Sequence, residues 1–132
     1  MPPMDDKLIE QNVATVRRLC EGWHVLSQAE FRELCDPALD YRNVPIEGDR
    51  HHGPDEAHAV LSRFAQKWNI RLQVDNIVGD EHKVMTERTE FFEHRPGSKA
   101  SFALPVMGVF ELSEGKITAW RDYFELSQLR VR

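Results

Sequence analysis

Three short stretches hold the side chains that could do chemistry. In "KITAWRDYFEL" (116–126), read as a strand, alternation sets Asp122 between Trp120 and Phe124 on one face. In "KVMTERTEFFE" (83–93), Val84, Thr86, Arg88, Glu90 and Phe92 share a face. Arg88 and Glu90 then stand about 7 Å apart at Cα. In "YRN", Tyr41 and Asn43 have equal parity at the end of an extended segment.

A buried carboxylate must find a cation and donors, or hold a proton. The face of Asp122 is the more apolar one, so this acid is expected inside. If Arg88 lies across the sheet from it, with Glu90 on the other side, the three form an acid–cation–acid row. Such a row keeps one carboxylate ionised as a base and lets the other carry a proton, because both share one positive charge. Tyr41 and Asn43 could hold a water, the amide oxygen accepting and the phenol donating or accepting. Each feature also has a plainer reading. Asp122 could be satisfied by backbone or by a Trp indole, and Arg88–Glu90 could be a solvated pair worth little. Asn43 could be a turn residue and Tyr41 a surface one. Parity alone leaves these alternatives open.

Other chemistries find little footing. The six histidines show neither HExxH nor an HxH with a downstream acid, and there is no Gly-rich phosphate loop and no GxSxG elbow. Cys20 and Cys35 both fall in expected helices without ligand-like spacing, which suits buried, reduced thiols. The chemistry expected is therefore cofactor-free and metal-free.

The elements that must position these groups fall into two halves. Helical periodicity runs from Asp5 to Trp23. "SQAE" (27–30) is a capping box that opens a second helix to about Cys35, stopped by Pro37. An extended segment follows over 38–44, then "EGDRHHG" as a loop, then a third helix opened by Pro54 and reaching Trp68. The second half reads as strands over 70–80, 82–95 and 100–126, with turns at Gly79–Asp80, Pro96–Gly97 and Glu114–Gly115. Helices first and antiparallel strands afterwards make an α+β domain with helices packed on one sheet face and a pocket at its wide end.

The 132 residues suit one domain. A composition of 41% hydrophobic and 30% charged residues is that of a globular protein. A net charge of −5 with scattered basic residues argues against a nucleic-acid or anionic-membrane partner. Nothing approaches the roughly 18 apolar residues of a membrane span. The amino-terminal "MPPMDDKLIE" lacks an apolar signal core, so a cytoplasmic location is expected.

"YRN", "TERTE" and "MGVFELSEGKITAWRDYFEL" together resemble the limonene-1,2-epoxide hydrolase family, within the NTF2-like and SnoaL-like group of cystatin-like α+β barrels. The resemblance runs from about Leu39 to the C-terminus, and the long last motif is its most specific part. It implies helices in the concave face of a strongly curved, mixed, mostly antiparallel sheet, and a homodimer formed through that sheet. It also implies a water held by Asp122, Tyr41 and Asn43, with Arg88 bridging Asp122 to a second acid that protonates the epoxide oxygen. That second acid falls at Glu90, where the family pattern has Asp. One added methylene moves the carboxyl by about 1.5 Å, and an error of about 1 Å can cost about a hundredfold in rate.

The expected partners are then water and a small hydrophobic epoxide of terpene, sterol or lipid type. Phe92, Leu104, Val106 and Phe124 would wall it by shared parity. Two other functions fit the same fold: a cyclase or isomerase of SnoaL or ketosteroid-isomerase type, and a non-catalytic small-molecule binder. An isomerase of that kind wants an Asp base and neutral oxyanion donors. An Arg between two acids stabilises the acids instead.

Overall fold

The computed structural model describes residues 4–94 and 101–130. Helix α1 (Asp6–Gly22) starts where Asp5 accepts a hydrogen bond from the Leu8 amide at 3.1 Å. Its buried stripe is Asn12, Val16, Leu19 and Cys20. Helix α2 (Gln28–Leu34) opens with the capping box, Ser27 and Glu30 each bonding the other's backbone amide.

The chain turns extended earlier than its periodicity suggests. Cys35 is not helical: strand β1 spans Cys35–Asn43, and Cys35 sits at φ −116°, ψ 141°. Pro37 disfavours the helical region for the residue before it, so the helix yields two residues ahead of the ring. His51–His52 is not loop either. It forms a short strand β2, pairing antiparallel with Asp40 and Tyr41. Helix α3 (Gly53–Lys67) ends one residue early, and Trp68 begins strand β3 (Trp68–Gly79).

Strands β4 (Lys83–His94), β5 (Phe102–Ser113) and β6 (Lys116–Tyr123) follow, then a short helix α4 (Ser127–Arg130). Asp80 closes the β3–β4 turn by accepting the His82 and Lys83 amides, both at 2.7 Å. Glu114 and Gly115 close the β5–β6 hairpin with φ 50° and 78°, as a two-residue turn with positive φ at both positions requires. The turn expected at Pro96–Gly97 lies outside the described residues.

The sheet is open and six-stranded, in the order β2-β1-β6-β5-β4-β3. Every pairing is antiparallel except β1 with β6. The fold is α+β, as the sequence leads one to expect, and the sheet is mixed, as the resemblance implies and the strand pattern alone did not. Its inner face carries Leu39, Tyr41, Val84, Phe110, Ile117 and Trp120, all at most 2% exposed, and the helices cover it. Ile117 breaks the simple alternation of β6, which would put it on the face away from Trp120. The β5–β6 register slips between Leu112↔Ile117 and Glu111↔Ala119, so Thr118 is an extra residue, its hydroxyl bonding the Glu111 carbonyl at 3.2 Å. That bulge turns Ile117 and Trp120 to the same side. Tyr41 stacks on Trp120 with ring centroids 4.1 Å apart, and Phe110 stacks on its other neighbour side at 5.7 Å. Such aromatic pairs contribute about 0.5–1.5 kcal/mol beyond their buried area.

Candidate active site

The inner face of β4 is the one that holds Arg88 and Glu90, which decides between the solvated and buried readings of that strand. Arg88 is 1% exposed and Glu90 7%. Asp122 on β6, 5% exposed, reaches the same guanidinium from across β5. Arg88 Nη2 donates to Asp122 Oδ1 at 2.5 Å, and Arg88 Nη1 stands 3.7 Å from Glu90 Oε2. Nη1 also donates to the Cys20 thiol on α1 at 3.4 Å.

Gly108 on β5 makes this span possible. It pairs with Thr86 on one side and Asp122 on the other. A Cβ there would come within 2.8 Å of Thr86 Oγ1 and 3.0 Å of Asp122 Oδ1. The glycine leaves the gap through which Arg88 meets Asp122.

Two tryptophans complete the carboxylates. Trp120 Nε1 donates to Asp122 Oδ1 at 2.9 Å, and Trp23 Nε1 donates to Glu90 Oε2 at 3.3 Å. On each acid, therefore, one oxygen faces both Arg88 and an indole. The bonds from Arg88 and the two indoles leave Asp122 Oδ2 and Glu90 Oε1 unengaged among the described residues. The indole–Asp122 bond was one of the plain readings of that residue; the structure shows it together with the Arg88 pair. Trp23, just past the end of α1, was not singled out from sequence.

The parallel β1–β6 pairing supplies the remaining polar groups. Tyr41 is opposite Trp120 and Asn43 opposite Asp122 in the register, and the Val44 amide bonds the Asp122 carbonyl at 2.9 Å. Asn43 Nδ2 donates to the Tyr41 hydroxyl at 3.2 Å.

Trp23, Tyr41, Asn43, Glu90, Trp120 and Asp122 open on a cavity of about 200 Å³, and Arg88, 1% exposed, is buried behind the two acids without lining it. Phe92, Leu104, Val106 and Phe124 line it, and Val60, Leu61 and Phe64 on α3 form the facing wall. Phe124 lies just past the end of β6, which stops at Tyr123.

Burial sets the protonation behaviour. Glu90 is pushed up to about 7, chiefly by desolvation and further by the Asp122 charge, against the pull of Arg88 and the Trp23 donor. Burial and then Asp122 hold the Tyr41 phenol well above its usual range, so it stays a neutral hydroxyl. Burial pushes the Cys20 thiol up to about 12, leaving it a neutral neighbour of Arg88. A carboxyl poised near neutrality beside an Arg-paired acid, in a cavity with mostly apolar walls, can give one proton while its partner takes another.

An open α+β sheet with an acid–Arg–acid row at the floor of an apolar cavity defines a pocket protein equipped for proton transfer. The chain belongs to the limonene-1,2-epoxide hydrolase family, whose catalytic-domain model matches residues 11–131. It is 34% identical over 103 residues to epoxide hydrolase EphG of Mycobacterium tuberculosis, a match covering 75% of this chain and 66% of that protein, just under two thirds of its length. Among solved structures it is similar to an LEH-like epoxide hydrolase of M. tuberculosis, with TM-score 0.77 and 24% identity over 93% of this chain and 89% of that one. It is also similar to a proposed SnoaL-like polyketide cyclase from Jannaschia sp. CCS1, with TM-score 0.83 and 19% identity over 98% and 96%. At these identities the two structures speak for the fold alone. No helix among the described residues is long and apolar enough to cross a membrane.

Proposed function

We propose that this protein hydrolyses a small hydrophobic epoxide to a vicinal diol in one step, without a cofactor. The observation that carries the reading is Arg88 lying between Asp122 and Glu90, under an apolar cavity that also receives Tyr41 and Asn43. Asp122 is the base. Its Oδ1 is engaged by Arg88 and Trp120, so Oδ2 takes the proton from a water held by Tyr41 and Asn43. Glu90 is the acid. Its Oε2 faces Arg88 and Trp23, so Oε1 gives its proton to the epoxide oxygen as the C–O bond breaks. Water oxygen forms the new C–O bond, its proton goes to Asp122, and no free alkoxide arises. Each proton transfer contributes about 10²–10⁴-fold.

The longer arm of Glu90 is accommodated by Trp23, whose indole holds one oxygen and thereby sets the direction of the other. The walls Phe92, Leu104, Val106 and Phe124 suit an apolar skeleton, and a cavity of about 200 Å³ favours terpene-sized or slender lipid epoxides over bulkier sterols. Pairing of two copies through the outer sheet face is part of the same proposal. Val78, Met85, Met107 and Tyr123 are exposed there, and Val78–Met85 and Met107–Tyr123 are opposed in the ladder.

The test is turnover of terpene, styrene, fatty-acid and steroid epoxides by the purified protein. Diol from the smaller apolar epoxides supports the reading. Turnover of none of them removes it in favour of a cyclase or a binding protein.

A further inference from the structure

The loop after β1 carries a carboxylate that the hydrolytic mechanism does not use. Asp49 returns to the end of β1 through a tight turn, with Gly48 at φ 76° and the Asp49 amide bonded to the Ile46 carbonyl at 3.1 Å. Its Oδ2 accepts twice from one residue: from the Asn43 backbone amide at 2.7 Å and from Asn43 Nδ2 at 3.2 Å. Its Oδ1 lies 3.0 Å from His51 Nε2, and His51 is held by β2 directly opposite Tyr41. Asp49 itself borders the cavity.

These contacts have a polarity that propagates. A carboxylate oxygen accepting a backbone N–H can only accept from the amide beside it, so the NH₂ end of Asn43 must face Asp49. One Nδ2 hydrogen goes to Asp49 and the other to the Tyr41 hydroxyl. Asn43 Oδ1 is then turned away from Asp49 as an acceptor. The Tyr41 oxygen already accepts, and its own hydrogen has no acceptor among the described residues, so it is free to donate into the cavity. A water held there would accept from Tyr41 and donate to Asn43 and to Asp122. That arrangement aims an oxygen lone pair away from all three groups, toward substrate. With the Asn43 amide reversed, its NH₂ would compete for that lone pair.

We infer that Asp49, steadied by His51, is a positioning residue that fixes the amide direction of Asn43 and, through it, the hydroxyl direction of Tyr41. The inference rests on the hydrolytic reading for its effect on rate but not for its effect on the amide. Full-length Asp49→Ala, Asp49→Ser and Asp49→Asn variants test it. Ala lacks an acceptor, Ser is too short to reach Nδ2, and Asn keeps an oxygen at the same distance.

The first readout is the ¹⁵N–¹H signal of the Asn43 side-chain amide, assigned by its loss in Asn43→Ala. Slow solvent exchange is expected in the parent and in Asp49→Asn, and fast exchange in Asp49→Ala, or in Asp49→Ser should the alanine variant not fold. Equal exchange in parent and Ala or Ser variants overturns the inference whether or not an epoxide is turned over. The second readout is kinetic. The Ala or Ser variant is expected to lose about 10–100-fold in kcat, as a misplaced reacting group does, with KM within twofold, and Asp49→Asn to recover most of it. Unchanged kcat in Ala and Ser, or an Asn variant as impaired as they are, contradicts the positioning role. An inactive parent with the expected exchange pattern would sink the hydrolase reading and leave the amide assignment standing.

Discussion

Trp23 Nε1 donates to Glu90 Oε2 at 3.3 Å, joining the end of the first helix to the middle of the fourth strand inside the cavity. This bond anchors the longer acid that stands where the family pattern has Asp. Trp23→Phe keeps an aromatic side chain and removes the donor. Because that donor lowers the Glu90 pKa, its loss should move the value up and shift the alkaline limb of the rate profile to higher pH. We expect kcat to fall about tenfold, since the acid is then steered by Arg88 alone. Glu90→Asp should lose rather than gain activity for the same reason, its shorter arm leaving the indole unbonded. Higher kcat in Glu90→Asp would show that Trp23 does not compensate for the extra methylene.

The pH dependence follows from the same carboxyl. With Glu90 raised to about 7, the protonated acid is depleted above that pH, so kcat should decline as pH rises through neutrality. Stability carries the same sign. The folded pKa lies above the unfolded value near 4.3, so the folded state binds more protons between those values. The contribution of Glu90 is most favourable below about pH 4 and is lost as pH rises to about 7. Glu90→Gln cannot titrate, and it should flatten the fall in stability between pH 5 and 8 by on the order of 1–3 kcal/mol while abolishing turnover. Denaturant melts of both proteins at the two pH values measure this.

Asp122→Asn should lower kcat by about 10²–10⁴-fold with the fold retained. Removing one partner of a buried ion pair commonly costs about 3–5 kcal/mol. Here Arg88 keeps Glu90 as counter-ion, 3.7 Å away, so the loss should be smaller. Circular dichroism and thermal melting of Asp122→Asn beside Arg88→Ala separate the cases. The latter leaves two acids buried without a cation and should unfold or nearly so.

Gly108→Ala tests the span across β5. The added methyl would meet Thr86 Oγ1 at 2.8 Å, Phe110 at 2.9 Å and Asp122 Oδ1 at 3.0 Å. Overpacking of this kind costs about 1–3 kcal/mol. Displacing Asp122 by even part of an ångström should cost activity beyond that expected from stability, up to about a hundredfold. Full activity in a folded Gly108→Ala variant would mean the Arg88–Asp122 geometry tolerates the shift.

How much of this was readable in advance depends on the range over which the signal acts. Alternation along β4 put Arg88 and Glu90 on one face, because strand parity is local. It could not say which face was inside; that is decided by Cys20 of α1 and Trp23 just past its end, which come to rest against those two residues. The parity of β6 placed Trp120 with Asp122 and failed at Ile117, since a bulge at Thr118 leaves no mark that alternation can detect. Helical periodicity carries through Cys35, but Pro37 turns the chain ahead of it extended, an effect that apolar spacing does not register. The parallel pairing that sets Asn43 opposite Asp122 joins segments far apart in sequence, and nothing local announces it. Their convergence came only through family resemblance. Asp49 lay in an apparent loop, although "EGD" is the kind of turn that can fold a carboxylate back on the preceding strand.

Direct attack of water under Asp122 and Glu90 can be read from a single-turnover reaction in ¹⁸O-labelled water, with enzyme in excess over an epoxide that it hydrolyses. One ¹⁸O atom is expected in the diol and none in the protein's carboxyl groups. An unlabelled diol, with the ¹⁸O atom left instead in the Asp122 or Glu90 carboxyl group after that one turnover, would contradict direct attack and indicate a covalent ester.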